Sequence, residues 1–119
     1  MTKKRILVAD DDPSIGDALQ LMLELEGYQV DIQTNGDSMY KMKENLPDVL
    51  LLDIWMSGHD GRDICRFLKQ NPATRNMPVI MISASRDVIS SAREAGADDF
   101  IEKPFERTDL LKKIAAYTS

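Results

Sequence analysis

The stretch that decides the fold is Asp48-Val49-Leu50-Leu51-Leu52-Asp53-Ile54-Trp55-Met56-Ser57-Gly58-His59-Asp60-Gly61. Four consecutive apolar residues end at the carboxylate of Asp53, and a loop that contains glycine follows at once. A short apolar run without alternation is typical of a strand that is buried on both faces of a parallel sheet. Because open α/β sheets bind their ligands at the carboxyl ends of the strands, Asp53 is the first candidate for a functional residue.

Four other segments have the pattern of strands. Residues 6–9 and 78–82 are continuous apolar runs, whereas residues 28–33 alternate between apolar and polar, and residues 98–101 are short and polar. The first two are therefore expected in the centre of the sheet and the last two at its edges.

A helix is predicted after each of the five strands, because apolar residues recur there at helical spacing. The first helix is expected to begin at Pro13 with Asp12 as N-cap and to end near Gly27. The second should follow the turn at residues 35–38 and end before Pro47. The expected inward-facing residues are Ile15, Leu19, Met22 and Leu23, then Met39, Met42 and Leu46, then Ile64, Phe67 and Leu68, then Val88, Ile89 and Ala92, and finally Leu110, Leu111 and Ile114.

Five alternating strand–helix units predict right-handed crossovers and a parallel sheet between two helical layers. The expected fold is therefore a flavodoxin-like (βα)5 three-layer α/β sandwich with strand order 2-1-3-4-5. With 119 residues the chain is expected to form a single domain over residues 1–119.

The composition narrows the classes of function. The net charge of −5 argues against nucleic-acid binding through the general field of the protein. No apolar stretch approaches the roughly 20 residues of a membrane span, and Cys65 is the only cysteine, so no internal disulfide is possible. A cytoplasmic protein without direct contact to membranes is expected.

Polar residues stand at the carboxyl ends of four predicted strands, namely Asp10 and Asp11, Asp53, Ser83, and Lys103. Because these ends share one edge of a parallel sheet, the three carboxylates should converge beside a lysine and a hydroxyl. Such a cluster is tolerable when a hard divalent cation lies within it, and Mg²⁺ fits best. With Asp53 as nucleophile, the site is suited to phosphoryl transfer onto a carboxylate.

The sequence resembles the response-regulator receiver domains of two-component signalling, including those of chemotaxis and the sporulation phosphorelay. The resemblance runs from about Arg5 to Tyr117. The motifs that carry it are Val8-Ala9-Asp10-Asp11-Asp12-Pro13, Leu52-Asp53-Ile54-Trp55-Met56, Asp60-Gly61, Ser83-Ala84 and Gly96-Ala97-Asp98-Asp99-Phe100-Ile101-Glu102-Lys103-Pro104-Phe105.

The resemblance implies a role for each site residue. Asp53 would be the phosphoacceptor, and Ser83 and Lys103 would contact the phosphoryl group. The implied Mg²⁺ ligands are Asp10, Asp11, Asp53 and the backbone carbonyl of Trp55, with Asp10 acting directly or through water. Ser83 and Phe100 would form the switch, and the Lys103-Pro104 peptide would be cis.

The resemblance also implies partners and a limited chemistry. The phosphoryl donor would be a sensor histidine kinase or a histidine phosphotransfer protein. Phosphorylation would remodel the face of the fourth helix, fifth strand and fifth helix. That face would control an effector domain or target outside this chain, or a homodimer. Such a domain is not an enzyme in the ordinary sense, since it catalyses only its own phosphorylation and dephosphorylation.

Three positions depart from the common pattern of the family. Ser57 occupies a position that is often proline, and Phe100 lacks the hydroxyl of the tyrosine variant. Trp55, two residues after the phosphoacceptor, is large for a position that borders the phosphoryl pocket. It is either a loop aromatic that covers backbone or an obstacle to the water that removes the phosphoryl group.

Two other classes of function compete with this interpretation. A Mg²⁺-dependent phosphatase or phosphotransferase of the haloacid-dehalogenase type would also form an aspartyl phosphate. Such an enzyme needs a second aspartate at the position where this chain has Trp55. It usually also needs a cap domain over its substrate, and a chain of 119 residues has no spare length for one. A flavodoxin-like cofactor binder needs a phosphate loop after the first strand, where the triplet Asp10-Asp11-Asp12 would repel a phosphate.

Overall fold

The computed structural model describes residues 3–56, 58–84 and 89–118 and contains one parallel sheet of five strands. Two further short strands, β4 and β5, pair antiparallel with each other and form a separate ribbon. In chain order the strands are β1 (Arg5–Ala9), β2 (Gln29–Gln33), β3 (Val49–Asp53), β4 (Trp55–Met56), β5 (His59–Asp60), β6 (Val79–Ser83) and β7 (Asp99–Glu102). The sheet order is β2-β1-β3-β6-β7. Once the ribbon is left out, this is the predicted order 2-1-3-4-5, and the flavodoxin-like fold is confirmed.

Four α-helices and one 3-10 helix connect the strands in the described part of the chain. They are α1 (Pro13–Leu25), the 3-10 helix (Gly36–Lys41), α2 (Gly61–Gln70), α3 (Ile89–Glu94) and α4 (Arg107–Thr118). The predicted start of α1 is confirmed, because Pro13 is its first residue and the Asp12 side chain accepts a hydrogen bond from the Ser14 N–H. None of the described helices is long and apolar enough to cross a membrane.

The second predicted helix is wrong in length and type. The chain forms only the six-residue 3-10 helix and leaves helical geometry at Met42, where φ is −67° and ψ is 129°. Gly36 and Met39 are the buried residues, and their spacing of three matches the three residues per turn of a 3-10 helix. The carbonyls of Asn45 and Leu46 accept hydrogen bonds from the Arg5 guanidinium, so they are not used within a helix.

The core consists of two layers, one on each face of the sheet. Leu50 and Leu52 of β3 pack in the layer formed with the 3-10 helix, α2 and α3. Val49 and Leu51 pack in the layer formed with α1 and α4. All four residues are fully buried, as the uninterrupted apolar run predicted.

The inward faces of the helices are largely as expected. Phe67 is the exception: it is 37% exposed and lies edge-on against Tyr40, with ring centroids 5.0 Å apart, because it borders the short 3-10 helix. Cys65 is fully buried, and burial raises the pKa of its thiol to about 11. Ser57 and Val88 lie outside the described residues, as does the side chain of Ile89.

Candidate functional site: an acidic cluster at the carboxyl ends of the strands

The carboxyl end of β1 supplies two of the three clustered carboxylates. Asp10 follows the last residue of the strand and is buried, while Asp11 is exposed. The Asp10 side chain accepts a hydrogen bond of 2.9 Å from the Asp12 N–H, and the Asp12 side chain caps α1. The three consecutive aspartates therefore have different roles. Asp12 caps α1, whereas the carboxylates of Asp10 and Asp11 lie in the cluster at the edge of the sheet.

Asp53 supplies the third carboxylate from the end of β3, which pairs with β1. One carboxylate oxygen from each of Asp10, Asp11 and Asp53 lies within 4.8 Å of the other two. The Asp53 Oδ1 atom also accepts a hydrogen bond of 3.0 Å from the Ile54 N–H. The structure thus brings the three predicted carboxylates together, because parallel strands one and three are neighbours.

Lys103 brings positive charge to the cluster from the far side of the sheet. Its Nζ atom lies 3.4 Å from Asp10 Oδ2 and 3.6 Å from Asp53 Oδ1. The Lys103 N–H donates a hydrogen bond of 2.7 Å to the Ser83 carbonyl, and the Lys103-Pro104 peptide is cis, as expected. One ammonium group is therefore shared by two of the three carboxylates.

The pKa of Asp53 shows the effect of burial and of the crowded negative charge in the cluster. Burial and the neighbouring Asp10 raise the pKa of Asp53 to about 6, although Lys103 and the Ile54 N–H act in the opposite direction. Ionisation of Asp53 is thus opposed even with the lysine present. An all-oxygen donor set with insufficient positive charge suits a hard cation such as Mg²⁺, which takes carboxylates, backbone carbonyls and water.

The two residues to which the family resemblance gives a switch role lie on neighbouring strands. Ser83 is the last residue of β6 and is buried. Phe100 lies in β7, is half-buried, and packs against the layer formed with the 3-10 helix, α2 and α3. The sheet places both residues on the side of the cluster from which Lys103 also comes.

The β4–β5 ribbon was missed in the sequence and borders Asp53 directly. Met56 is fully buried, whereas the Trp55 side chain is 61% exposed. Gly61 must be glycine, because a Cβ atom there would lie 2.4 Å from the Asp53 carbonyl oxygen. Gly58, with φ of +82°, is the turn signal between the two short strands that could have predicted the ribbon.

His59 lies in the ribbon and is half-buried, with 34% of its side chain exposed. Its Nε2 atom lies 2.7 Å from Asp37 Oδ1 in the 3-10 helix. Asp37 lies in the first turn of the 3-10 helix, so the contact joins the ribbon to that helix.

Comparisons with known proteins agree with this architecture. The family described as "Response regulator receiver domain" matches residues 6–115. A phosphate regulon transcriptional regulatory protein from Rhizobium meliloti is 36% identical over 115 residues, which cover 94% of this chain and 51% of the relative. This chain therefore spans about half the length of that curated relative.

Two solved structures show the same fold. A response regulator structure from Chloroflexus aurantiacus has a TM-score of 0.90 at 30% identity, with 98% of each chain covered. The receiver domain of a sensor histidine kinase from Pseudomonas aeruginosa has a TM-score of 0.87 at 24% identity and also covers 98% of each chain. That second protein contains a magnesium ion coordinated in its active-site cleft.

Proposed function

Since this chain belongs to the response regulator receiver domain family, we propose that it accepts a phosphoryl group on Asp53 and thereby switches a signalling surface. The observation that supports the proposal best is the acidic cluster itself. Carboxylate oxygens of Asp10, Asp11 and Asp53 lie within 4.8 Å of one another, and the Lys103 ammonium lies beside two of them. A receiver domain is a signalling phosphoacceptor and not a conventional enzyme, so family membership does not favour the phosphatase alternative.

Mg²⁺ is the proposed cofactor. Asp10, Asp11, Asp53 and the backbone carbonyl of Trp55 would hold it, and the raised pKa of Asp53 supports a cation in this place. When bound, the ion would neutralise the charge of the carboxylates and of the incoming phosphoryl oxygens. The magnesium ion in the Pseudomonas aeruginosa receiver domain makes the same cofactor reasonable here.

The proposed transfer uses Asp53 as the nucleophile. A carboxylate oxygen of Asp53 forms a bond to phosphorus while the phosphorus–nitrogen bond of a phosphohistidine breaks. The electron pair of that bond returns to the imidazole nitrogen of the donor. Lys103 would pair with a phosphoryl oxygen, and the Ser83 hydroxyl would donate a hydrogen bond to another.

The proposed phosphoryl donor is a sensor histidine kinase or a histidine phosphotransfer protein. The phosphoryl group would act as a switch because Ser83 contacts it in only one of two arrangements, which also differ in the position of Phe100. The surface that changes would comprise α3, β7 and α4. Its target would be an effector domain or another protein, or a second phosphorylated copy of this chain.

Phosphorylation by a small donor tests the proposal. We expect the wild-type chain, incubated with acetyl phosphate and Mg²⁺, to gain one acid-stable, hydroxylamine-sensitive phosphoryl group that mass spectrometry places on Asp53. A chelator and the Asp53→Asn substitution should each abolish the gain. The matched control is Asp12→Asn, since asparagine keeps the cap of α1 and Asp12 is not in the cluster. Undiminished labelling of the Asp53→Asn variant, or wild-type labelling at another residue, would refute the assignment.

A further inference from the structure

The β4–β5 ribbon is too small to be stable by itself. It contains two residue pairs, Trp55 with Asp60 and Met56 with His59. Even a longer isolated hairpin is only marginally stable in water, so contacts with other elements must hold this one in place. Met56 provides one contact by burial in the core, and Asp60 provides another as the N-cap of α2.

His59 provides a third contact, toward the 3-10 helix. Its Nε2 atom lies 2.7 Å from Asp37 Oδ1, and because a carboxylate oxygen accepts, the imidazole N–H is the donor. The Asp37 N–H in turn donates a hydrogen bond of 2.8 Å to the Asn35 side chain, which caps the 3-10 helix. The ring of Tyr40 lies 5.8 Å from the imidazole, centroid to centroid. His59 therefore contacts a carboxylate that is itself held in the first turn of the 3-10 helix.

The backbones of the ribbon and the 3-10 helix also approach closely at Gly36. A Cβ atom at this position would lie 2.6 Å from His59 Cδ2 and 2.9 Å from the Met56 carbonyl oxygen. Only glycine fits without displacement of the ribbon. The approach indicates that the imidazole is seated against the 3-10 helix and does not simply extend into solvent.

We propose that His59 is a positioning residue for the phosphoacceptor site. By bonding Asp37, it fixes the ribbon and with it the backbone of Trp55, two residues after Asp53. The effect on metal binding depends on the proposed function, because the Trp55 carbonyl is a proposed Mg²⁺ ligand. The effect of the His59 contact on the order of the ribbon does not depend on the proposed function.

The first test measures the ribbon without metal. Trp55 is the only tryptophan, so its fluorescence reports on the ribbon alone. Without Mg²⁺, His59→Leu and Asp37→Ala should each lower the fluorescence anisotropy of Trp55, and the double variant should lower it no further. His59→Gln, which keeps an N–H donor, should restore most of the wild-type value. Asp63→Ala is the matched control, because Asp63 forms an ion pair of similar exposure with Arg66 inside α2.

The second test measures Mg²⁺ affinity by titration of the same fluorescence. His59→Leu and Asp37→Ala should each weaken binding by about two- to fivefold, the range expected for one partly exposed contact with a carboxylate, with no further loss in the double variant. Unchanged anisotropy and unchanged affinity in both variants would overturn the inference. If wild type binds no Mg²⁺ but the anisotropy changes as described, the positioning contact stands and the proposed metal site is refuted.

Discussion

Replacement of Asp53 by asparagine should stabilise the protein in the absence of divalent cations. The Asp53 carboxylate is half-buried beside Asp10 and Asp11, and Lys103 is shared with Asp10. An asparagine side chain is nearly identical in shape and still offers an oxygen to the Ile54 N–H. It removes the negative charge that the other carboxylates repel.

The magnitude follows from the pKa of Asp53. That pKa is raised to about 6 in the folded protein, mainly by burial, against about 3.9 for aspartate in an unfolded chain. Each pKa unit corresponds to about 1.4 kcal/mol, so the ionised carboxylate lowers the free energy of unfolding by roughly 2–3 kcal/mol. The attraction of Lys103 is already contained in this value. A gain of about 2 kcal/mol in the variant would raise Tm by roughly 5–10 °C.

The sign of the pH dependence is fixed by the raised pKa. The folded protein binds the proton more tightly than the unfolded chain, so the destabilisation is absent below about pH 4 and grows as the pH rises through 6. The difference in stability between the variant and wild type should therefore be small at pH 4 and largest at pH 8.

Thermal unfolding in a chelator, followed by circular dichroism between pH 4 and 8, would measure this difference. Asp17→Asn is the control, because it removes the same formal charge from an exposed position on α1. Added Mg²⁺ should reverse the order of stability by binding wild type more tightly than the variant. The electrostatic reasoning would be refuted if the Tm of Asp53→Asn at pH 8 did not exceed that of wild type. It would also be refuted if the variant were stabilised by the same amount at every pH.

Three other substitutions test the surroundings of the site. Asp60→Ala should lower the free energy of unfolding by about 1–2 kcal/mol at pH 7 in urea titrations, because it removes the cap of α2 and the pair with Arg62. Since Arg62 lowers the pKa of Asp60, this loss should shrink as the pH falls below about 4; a constant loss would contradict the ion pair. Gly61→Ala should cost about 1–3 kcal/mol in the same titrations, because its Cβ atom would meet the Asp53 carbonyl oxygen, and an unchanged midpoint would argue against that close approach. Trp55→Ala should speed the loss of phosphate from the phosphorylated protein severalfold in a time course on phosphate-affinity gels, and an equal rate would show that the indole does not obstruct the attacking water.

Most of the sheet could be predicted from the sequence, because continuous and alternating apolar runs depend directly on burial. The run of residues 49–52 predicted a strand buried on both faces, and the alternation around Val30 predicted an edge strand. The 3-10 helix could not be predicted in this way, since Met39, Met42 and Leu46 all contact the core and satisfy a helical pattern without forming an α-helix. The chain leaves helical geometry at Met42, and beyond it the carbonyls of Asn45 and Leu46 accept hydrogen bonds from Arg5, which is distant in the sequence.

The site was predictable to the extent that it depends on strand ends. Parallel strands place Asp10, Asp11, Asp53 and Lys103 at one edge, so their convergence follows from the order of the strands. The contact of His59 with the 3-10 helix did not follow, because it depends on where a ribbon of two residue pairs and a six-residue helix meet. Neither element produces a periodic pattern in the sequence.

The division of the apolar interior by β3 limits how this protein can vary. Leu50 and Leu51 are adjacent in the chain but belong to opposite layers, so the two layers take alternate residues of the strand. A slip of β3 by one residue would exchange the two sets of side chains and disrupt both layers together. The aspartate at the end of that strand is therefore held at a position that both layers of the core fix.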